Sequence, residues 1–143
     1  MQVKDSMTKQ VVCVGSQEPV EVAARLMAKY NLGMLPVKNA SGRLVGVVTD
    51  RDLAIRALAG KTGKQVGDVM TRGAITAAPE DTVEQAATKM GSLQIRRLPV
   101  VQSGSLVGVI SLGDLTRSGH PASSAGECLG KICDSVCRFH EMK

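Results

Sequence analysis

Aromatic residues are almost absent from the sequence: its 143 residues include one Tyr, one Phe and no Trp. Any core must therefore be built from Val, Leu, Ile, Ala and Met. Because proteins that bind single-stranded nucleic acid usually stack the bases on aromatic side chains, the composition argues against that class. The net charge of +5 favours anionic partners in general. It does not choose among a phosphate ligand, a nucleic acid and an acidic protein surface.

Signals for secretion or membrane insertion are also missing. The N-terminus becomes polar within a few residues and has no apolar core region, and no apolar run approaches the length of a membrane span. Of the four cysteines, Cys13 stands alone, and Cys128, Cys133 and Cys137 cluster near the C-terminus. This clustering is unlike a disulfide framework, so the sequence predicts a reducing, cytoplasmic location.

No catalytic set is recognisable. The sequence pattern does not pair either histidine, His120 or His140, with a Ser or Cys nucleophile. No glycine-rich loop ends in Lys-Ser or Lys-Thr, as the phosphate-binding loop of nucleotide hydrolases does. The sequence therefore predicts that the protein is not an enzyme and that it requires no cofactor.

The most informative feature of the sequence is an internal repeat. Residues 3–8 return as residues 66–71, and the Leu-Pro-Val of residues 35–37 returns at 98–100, at an offset of 63. One deletion in the turn that follows shifts the offset to 62. Over residues 3–53, without the deleted position, 20 of 50 aligned positions are identical, whereas typical composition would give about three.

Each copy is predicted to form a β-α-β-β-α unit. Strand candidates lie at residues 11–14 and 74–77, and helices are predicted near 19–31 and 81–93, where apolar residues recur at helical spacing. Each copy then continues through the extended Leu-Pro-Val segment and a hairpin into a last helix. This order of elements predicts the α/β class (α+β-like), with helices packed against small sheets.

The repeat also predicts the domain organisation. Residues 1–61 form the first domain and residues 62–118 the second. Residues 119–143 are predicted to be a linker followed by a C-terminal helix, because a loop-like composition gives way to an apolar stripe at helical spacing.

The segment after each hairpin carries the chemistry of the repeat. It reads glycine, two aliphatic residues, a hydroxyl residue, two others and aspartate, at residues 46–52 and 108–114. Thr or Ser followed three residues later by an acid is a helix-capping pattern, and the last helices are predicted to start at Thr49 and Ser111. The same groups suit a nucleoside, because a carboxylate accepts hydrogen bonds from a ribose diol and a helix start attracts phosphate. Both roles can coexist.

Three motifs occur in the same order in both copies, and together they resemble a known family. The opening Val-x-Asp-x-Met-Thr, the Leu-Pro-Val strand and the segment that ends in aspartate resemble a tandem pair of cystathionine-β-synthase (CBS) domains, or Bateman module, over residues 1–118. The resemblance implies two units packed through their sheets into a pseudo-two-fold module with two clefts. It also implies an AMP, ADP, ATP or S-adenosylmethionine effector, a regulatory role in signal transduction, and a homodimer.

The resemblance assigns site residues in both copies. Thr49 and Asp52 match the family's ribose and phosphate positions in one cleft, and Ser111 and Asp114 match them in the other. The positions expected to contact the base are Val12, Val48, Ile75 and Ile110.

Basic residues make the two copies unequal. Arg96 and Arg97 precede the strand proline of copy two, where family members often carry a basic residue that faces the phosphates, and copy one has Gly-Met there. Arg51 adds charge near the first cleft. The competing role for these arginines is a solvated surface. If these arginines bind the phosphates of the ligand, the two clefts should differ in their affinity for it.

The C-terminal region contains a second pattern. Cys133, Cys137 and His140 are spaced to share one face of a helix, and thiolates with imidazole can bind zinc or another soft metal. No Cys-x-x-Cys pair accompanies them, so the competing interpretation is that small apolar residues pack this helix.

Together with these patterns, the resemblance implies a non-catalytic regulatory module that binds an adenosyl ligand in clefts between CBS repeats and acts on a separate target protein. One alternative is a ligand-free dimerisation scaffold. Another is a metal or redox sensor that uses the cysteine-rich C-terminal helix. Nucleic-acid binding is disfavoured, and no interaction with a membrane is expected.

Overall fold

The computed structural model describes residues 1–60 and 65–117, and the chain forms two compact units. The unit here called the copy-one unit comprises Val11–Ala74 and Ser103–Leu106. The copy-two unit comprises Met1–Gln10, Ile75–Gln102 and, of the described residues, also those from Val107 to Arg117. Each unit therefore holds the main body of one sequence copy together with the short opening segment of the other copy.

The copy-one unit contains a three-stranded sheet in the order β1-β2-β3. Its strands are β1 (Val14–Gly15), β2 (Met34–Lys38) and β3 (Leu44–Thr49). Strand β1 is parallel to β2, and β2 is antiparallel to β3, with Met34 opposite Thr49. The residues before β1, the start of β2 and the end of β3 therefore lie at the same edge of the sheet.

Three helices accompany this sheet: α2 (Val20–Tyr30), a π-helix (Asp52–Ala59) and α3 (Val66–Val69). Helix α2 buries Ala23 and Met27, which lie one turn apart on one face. Two residues separate the π-helix from the end of β3. The backbone N–H of Gly60 donates to the carbonyl of Ile55 at 2.9 Å, the five-residue spacing of this helix type.

The copy-two unit contains the equivalent elements. They are α1 (Val3–Ser6), α4 (Val83–Leu93), β4 (Arg97–Gln102), β5 (Ser105–Ser111) and α5 (Leu112–Arg117). Strands β4 and β5 pair with each other, and Ala77 forms an isolated parallel bridge with Val100 in the position that β1 occupies in copy one. Thr82 caps α4 by accepting from the backbone N–H of Gln85 at 3.1 Å, and Gln85 accepts in return.

Each opening segment packs on the body of the other copy through equivalent contacts. In the copy-two unit, Thr8 and Val109 exchange two backbone hydrogen bonds of 2.9 and 3.0 Å. In the copy-one unit, Thr71 and Val47 exchange two of 2.8 and 3.0 Å. Val3 and Val66, the first residues of the repeated opening motif, are fully buried as well, so these segments are structural parts of their units and not linkers.

Aliphatic residues and methionine form both cores, as the lack of aromatic residues requires. The copy-one core consists of Val14, Ala23, Met27, Leu35, Val37, Val48, Val66, Val69 and Met70. The copy-two core consists of Val3, Ala77, Val83, Ala86, Ala87, Met90, Leu98, Val100, Ile110 and Leu115.

These elements confirm the predicted α/β class and both long helices. The candidate strands are shorter than predicted: residues 11–14 contribute only the start of β1, and residues 74–77 contribute only the bridge at Ala77. The C-terminal helix and the metal ligands predicted for residues 119–143 lie outside the described residues. None of the described helices is long and apolar enough to cross a membrane.

Candidate functional site

The strongest candidate site in the copy-one unit lies where β3 ends and the π-helix begins. Asp52 is 6 % exposed although it is charged. Its Oδ2 accepts the backbone N–H of Thr49 at 3.0 Å, and the hydroxyl of Thr49 accepts the backbone N–H of Asp52 at 3.0 Å. This reciprocal pair is the capping box that the sequence predicted, and it fixes the orientation of the carboxylate.

Two further side chains contact the same carboxylate. The hydroxyl of Thr71 donates to Asp52 at 3.2 Å from Oδ2 and 3.4 Å from Oδ1. Nε of Arg56 lies 3.7 Å from Oδ1 of Asp52. Sequence reasoning did not identify either residue as part of the site. The repeat did mark Thr71, since the opening motif ends on it, but nothing local connected that motif to the aspartate.

The remaining copy-one candidates differ in their placement. Val12 is partly buried and packs against the copy-one core, while Val48 is fully buried inside that core. Arg51 is exposed at the beginning of the π-helix. The carbonyl of Gly33 accepts the backbone N–H of Asp50 at 3.0 Å, which joins the start of β2 to the residue after Thr49.

The copy-two unit repeats the central geometry. Asp114 is 6 % exposed, and its Oδ2 accepts the backbone N–H of Ser111 at 2.9 Å. The hydroxyl of Ser111 accepts the backbone N–H of Asp114 at 3.2 Å. A nearly buried aspartate therefore occupies the same position, with the same backbone partner, in both copies.

The predicted phosphate-binding arginines lie at the start of β4. Arg96 is exposed, and its carbonyl accepts the backbone N–H of Leu112 at 2.8 Å, so the segment that carries the arginines is joined to the residue after Ser111. Arg97 is half-buried as the first residue of the strand. The structure thus brings the backbone of the arginine pair beside the end of β5.

The aliphatic candidates of copy two separate into two environments. Ile75 is 47 % exposed, which leaves its side chain accessible to a ligand. Ile110, by contrast, is fully buried in the copy-two core. Val48 and Ile110 therefore lie inside the two cores, whereas Ile75 and the partly buried Val12 are the more accessible residues of the predicted base-contacting set.

The described residues contain no cluster of His, Cys, Asp or Glu that could hold a metal ion. Among them, Cys13 is half-buried and free. Cys133, Cys137 and His140 lie outside the residues that the structure describes, so the metal hypothesis remains a prediction.

A model of the CBS domain family matches residues 3–58 and 66–120. The chain is 41 % identical over 132 residues to the CBS domain-containing protein YhcV of Bacillus subtilis, which covers 91 % of this chain and 94 % of that protein. This similarity extends over nearly the whole of this chain and of YhcV.

Two similar solved structures contain adenosyl compounds. The CBS domain pair of protein MJ0100, in complex with 5′-methylthioadenosine and S-adenosyl-L-methionine, has a TM-score of 0.71 and 32 % identity over 82 % of this chain and 94 % of that chain. The protein CBSX2, in complex with AMP, has a TM-score of 0.74 and 31 % identity over 82 % of this chain and 94 % of that chain.

The duplicated motif, the two equivalent capped aspartates and the match of both repeats to one family model all agree. The chain belongs to the CBS domain family and contains two CBS domains in tandem.

Proposed function

We propose that this CBS pair is a non-catalytic regulatory module whose effector is an adenosyl ligand, with Asp52 and Asp114 accepting the hydroxyls of the ligand's ribose. The observation that carries the proposal is the burial and hydrogen bonding of these two carboxylates. Each is 6 % exposed, and each is held by reciprocal hydrogen bonds to the hydroxyl residue three positions earlier. Such burial of a charged group is rare unless the group has specific partners.

A carboxylate held in this way suits a ribose diol. An ionised carboxylate has about four lone-pair sites, and the backbone N–H of Thr49 or Ser111 occupies one of them. Hydrogen bonds to an ionised acceptor are about twice as strong as neutral ones. Because the capping box has already fixed the carboxylate, a ligand does not have to pay for ordering it.

The solved relatives support an adenosyl ligand. The ligands named in the two similar structures, AMP, 5′-methylthioadenosine and S-adenosyl-L-methionine, share adenosine and differ at the 5′ position. In our proposal the aspartates bind the shared ribose. The exposed side chain of Ile75 and the partly buried Val12 lie against the base, and Arg51, Arg96 and Arg97 select among the 5′ groups.

We further propose that the module acts on a separate target protein as a homodimer. A ligand can change such an interaction only if it binds one state of the module more tightly than the other. A ligand-free dimerisation scaffold remains the competing function, and it differs in predicting no response to any adenosyl compound.

Thermal unfolding with AMP, ADP, ATP, S-adenosylmethionine and 5′-methylthioadenosine tests the proposal. A ligand at ten times its Kd stabilises the folded state by about 1.4 kcal/mol, which corresponds to a rise in Tm of about 4 °C for a chain of this size. We expect at least one of the five compounds to produce this rise at 1 mM. Mass spectrometry of small molecules released from the purified protein would identify a bound ligand independently.

The variant Asp52→Asn with Asp114→Asn should fold and lose the response, because the carboxylates that accept the diol are gone. Asp81→Asn is the matched control. Asp81 also accepts a backbone N–H from three residues earlier, at 2.9 Å from Ala78, and contacts a basic side chain, Lys89, at 3.5 Å. The proposal fails if none of the compounds raises Tm, or if the double variant and the control respond alike.

A further inference from the structure

The opening segment of copy two, residues 65–71, contacts the rest of the copy-one unit along its whole length. At its beginning, the backbone N–H of Val66 donates to the carbonyl of Glu18 at 2.9 Å, and that of Gly67 donates to Ser16 at 2.8 Å. The side chains of three of its residues, Val66, Val69 and Met70, form part of the copy-one core. The segment is therefore held in a defined position beside the candidate site.

The segment ends at the carboxylate of that site. The backbone of Thr71 exchanges two hydrogen bonds with Val47 on β3, which places Thr71 near the end of the strand, and Asp52 lies three residues beyond that end. The hydroxyl of Thr71 then donates to Asp52, at 3.2 Å from Oδ2. Oδ2 also accepts the backbone N–H of Thr49, so two protein donors converge on one oxygen of the carboxylate.

Arg56 connects the same carboxylate to the backbone of the segment. One guanidinium nitrogen donates to the carbonyls of Val69 and Met70, each at 3.3 Å, and Nε lies 3.7 Å from Oδ1 of Asp52. The Arg56 side chain is 52 % exposed and that of Asp52 only 8 %. The ion pair is therefore long and largely solvated on one side, while the two carbonyl contacts keep the segment, and with it Thr71, next to the aspartate.

We propose that Thr71 is a positioning residue of the copy-one ligand site, so that a residue from the second sequence copy completes the site of the first. This inference rests on the proposed function. The Thr71 hydroxyl and the Thr49 N–H hold Oδ2 and thereby aim Oδ1 of Asp52 at the ribose hydroxyls. Among the interactions described above, Oδ1 takes part in only two: the 3.7 Å ion pair with Arg56 and the weak 3.4 Å hydrogen bond from Thr71. Both can rearrange easily when a ligand binds.

This arrangement couples the ligand to the opening segment. Ligand binding at Asp52 favours the carboxylate position in which Asp52 also accepts a hydrogen bond from Thr71. Packing of the opening segment on the copy-one unit favours the same position, in which the carboxylate can accept the ribose hydroxyls. By linkage, each event must strengthen the other by the same factor. Thr71 contributes to affinity without contacting the ligand, which distinguishes a positioning role from a binding role.

The test measures binding of AMP and 2′-deoxy-AMP by calorimetry in an Asp114→Asn background, which removes the carboxylate of the other site. The ratio of the two Kd values reports the hydrogen bond between the 2′-hydroxyl and Asp52. In Thr71→Val this ratio should contract about fivefold, the effect of losing roughly one hydrogen bond, because AMP weakens more than its deoxy analogue. Thr71→Ser keeps the hydroxyl and should restore the ratio.

Thr8→Val in the same background is the matched control, because Thr8 occupies the same repeat position but pairs with Val109 in the copy-two unit. It should leave the ratio unchanged. A structural role for Thr71 alone would weaken both nucleotides equally, and an unchanged ratio in Thr71→Val therefore overturns the inference. If the ratio collapses in Asp52→Asn but survives in Thr71→Val, the proposed function stands and only this inference fails. If the parent protein binds neither nucleotide, this inference is overturned, and the proposed function is overturned with it only if none of the five adenosyl compounds raises Tm.

Discussion

A Cβ atom on Gly46 would lie 2.5 Å from the carbonyl oxygen of Thr71. Gly46 is the glycine of the motif that ends in Asp52, and Thr71 ends the opening segment of the other copy. The glycine is therefore required because backbone passes directly over it, and not because it needs an unusual backbone conformation. The same contact that requires this glycine delivers the Thr71 hydroxyl to the carboxylate.

Gly46→Ala should destabilise the protein by about 1–3 kcal/mol, the usual range for overpacking a close contact. Backbone atoms cannot move aside as a flexible side chain can, so the opening segment or β3 must shift. Urea unfolding measures the change. Gly15→Ala is the control, because a Cβ there meets the Glu18 side chain at an ordinary 3.5 Å. Equal stability of the two variants would contradict the close approach.

Gly108→Ala, at the equivalent position of copy two, should cost less than Gly46→Ala. Its Cβ would lie 2.6 Å from Sδ of Met7 and 3.0 Å from the carbonyl oxygen of Thr8. The nearer atom belongs to a flexible thioether that can change rotamer, and the backbone oxygen is farther away than in copy one. The same urea measurement ranks the two variants, and the reverse order would show that the opening segments are held differently from the geometry described above.

The sequence predicted the parts of this structure that local patterns determine. The helices around Ala23 and Ala86 were found because apolar residues recur at helical spacing, and the aspartates were found because the motif occurs twice. The packing of each opening segment on the body of the other copy was not predicted. Helix α3 is only four residues long, too short for any periodicity, and the pairing of Thr71 with Val47 joins residues far apart in the sequence.

The depth of Val48 and Ile110 was also beyond local reasoning. The family resemblance assigned both to the base-binding surface, but each strand there is an almost continuous run of aliphatic residues. Such a run carries no alternation to show which side chains face the core. The structure shows that both are fully buried, and the assignment of the base-contacting positions stays a prediction that a ligand complex must test.

Thr82→Ala should lower stability by about 1 kcal/mol, the typical effect of losing a helix cap. The Thr82 hydroxyl accepts the backbone N–H of Gln85 at 3.1 Å at the start of α4. Thr88→Ala is the control within the same helix, since the Thr88 hydroxyl only donates to the carbonyl of Glu84 and alanine has the higher helix propensity. Chemical unfolding should show a clear loss for the first variant and little or no loss for the second. A comparable loss for both would mean that the cap contributes nothing specific.

Arg96→Gln with Arg97→Gln should weaken binding of phosphate-bearing ligands at the copy-two site and leave binding of uncharged ligands there almost unchanged. If the arginine pair binds phosphates, the affinity of the copy-two site for ATP should fall about tenfold, the effect of losing a hydrogen bond to a charged group. Binding of 5′-methylthioadenosine, which has no phosphate, should change little. Calorimetry in an Asp52→Asn background isolates the copy-two site. Arg25→Gln with Arg72→Gln is the control for net charge, because it removes two exposed arginines of the copy-one unit. Equal losses for ATP and 5′-methylthioadenosine would assign the arginines a structural role and remove the basis for two sites of unequal affinity.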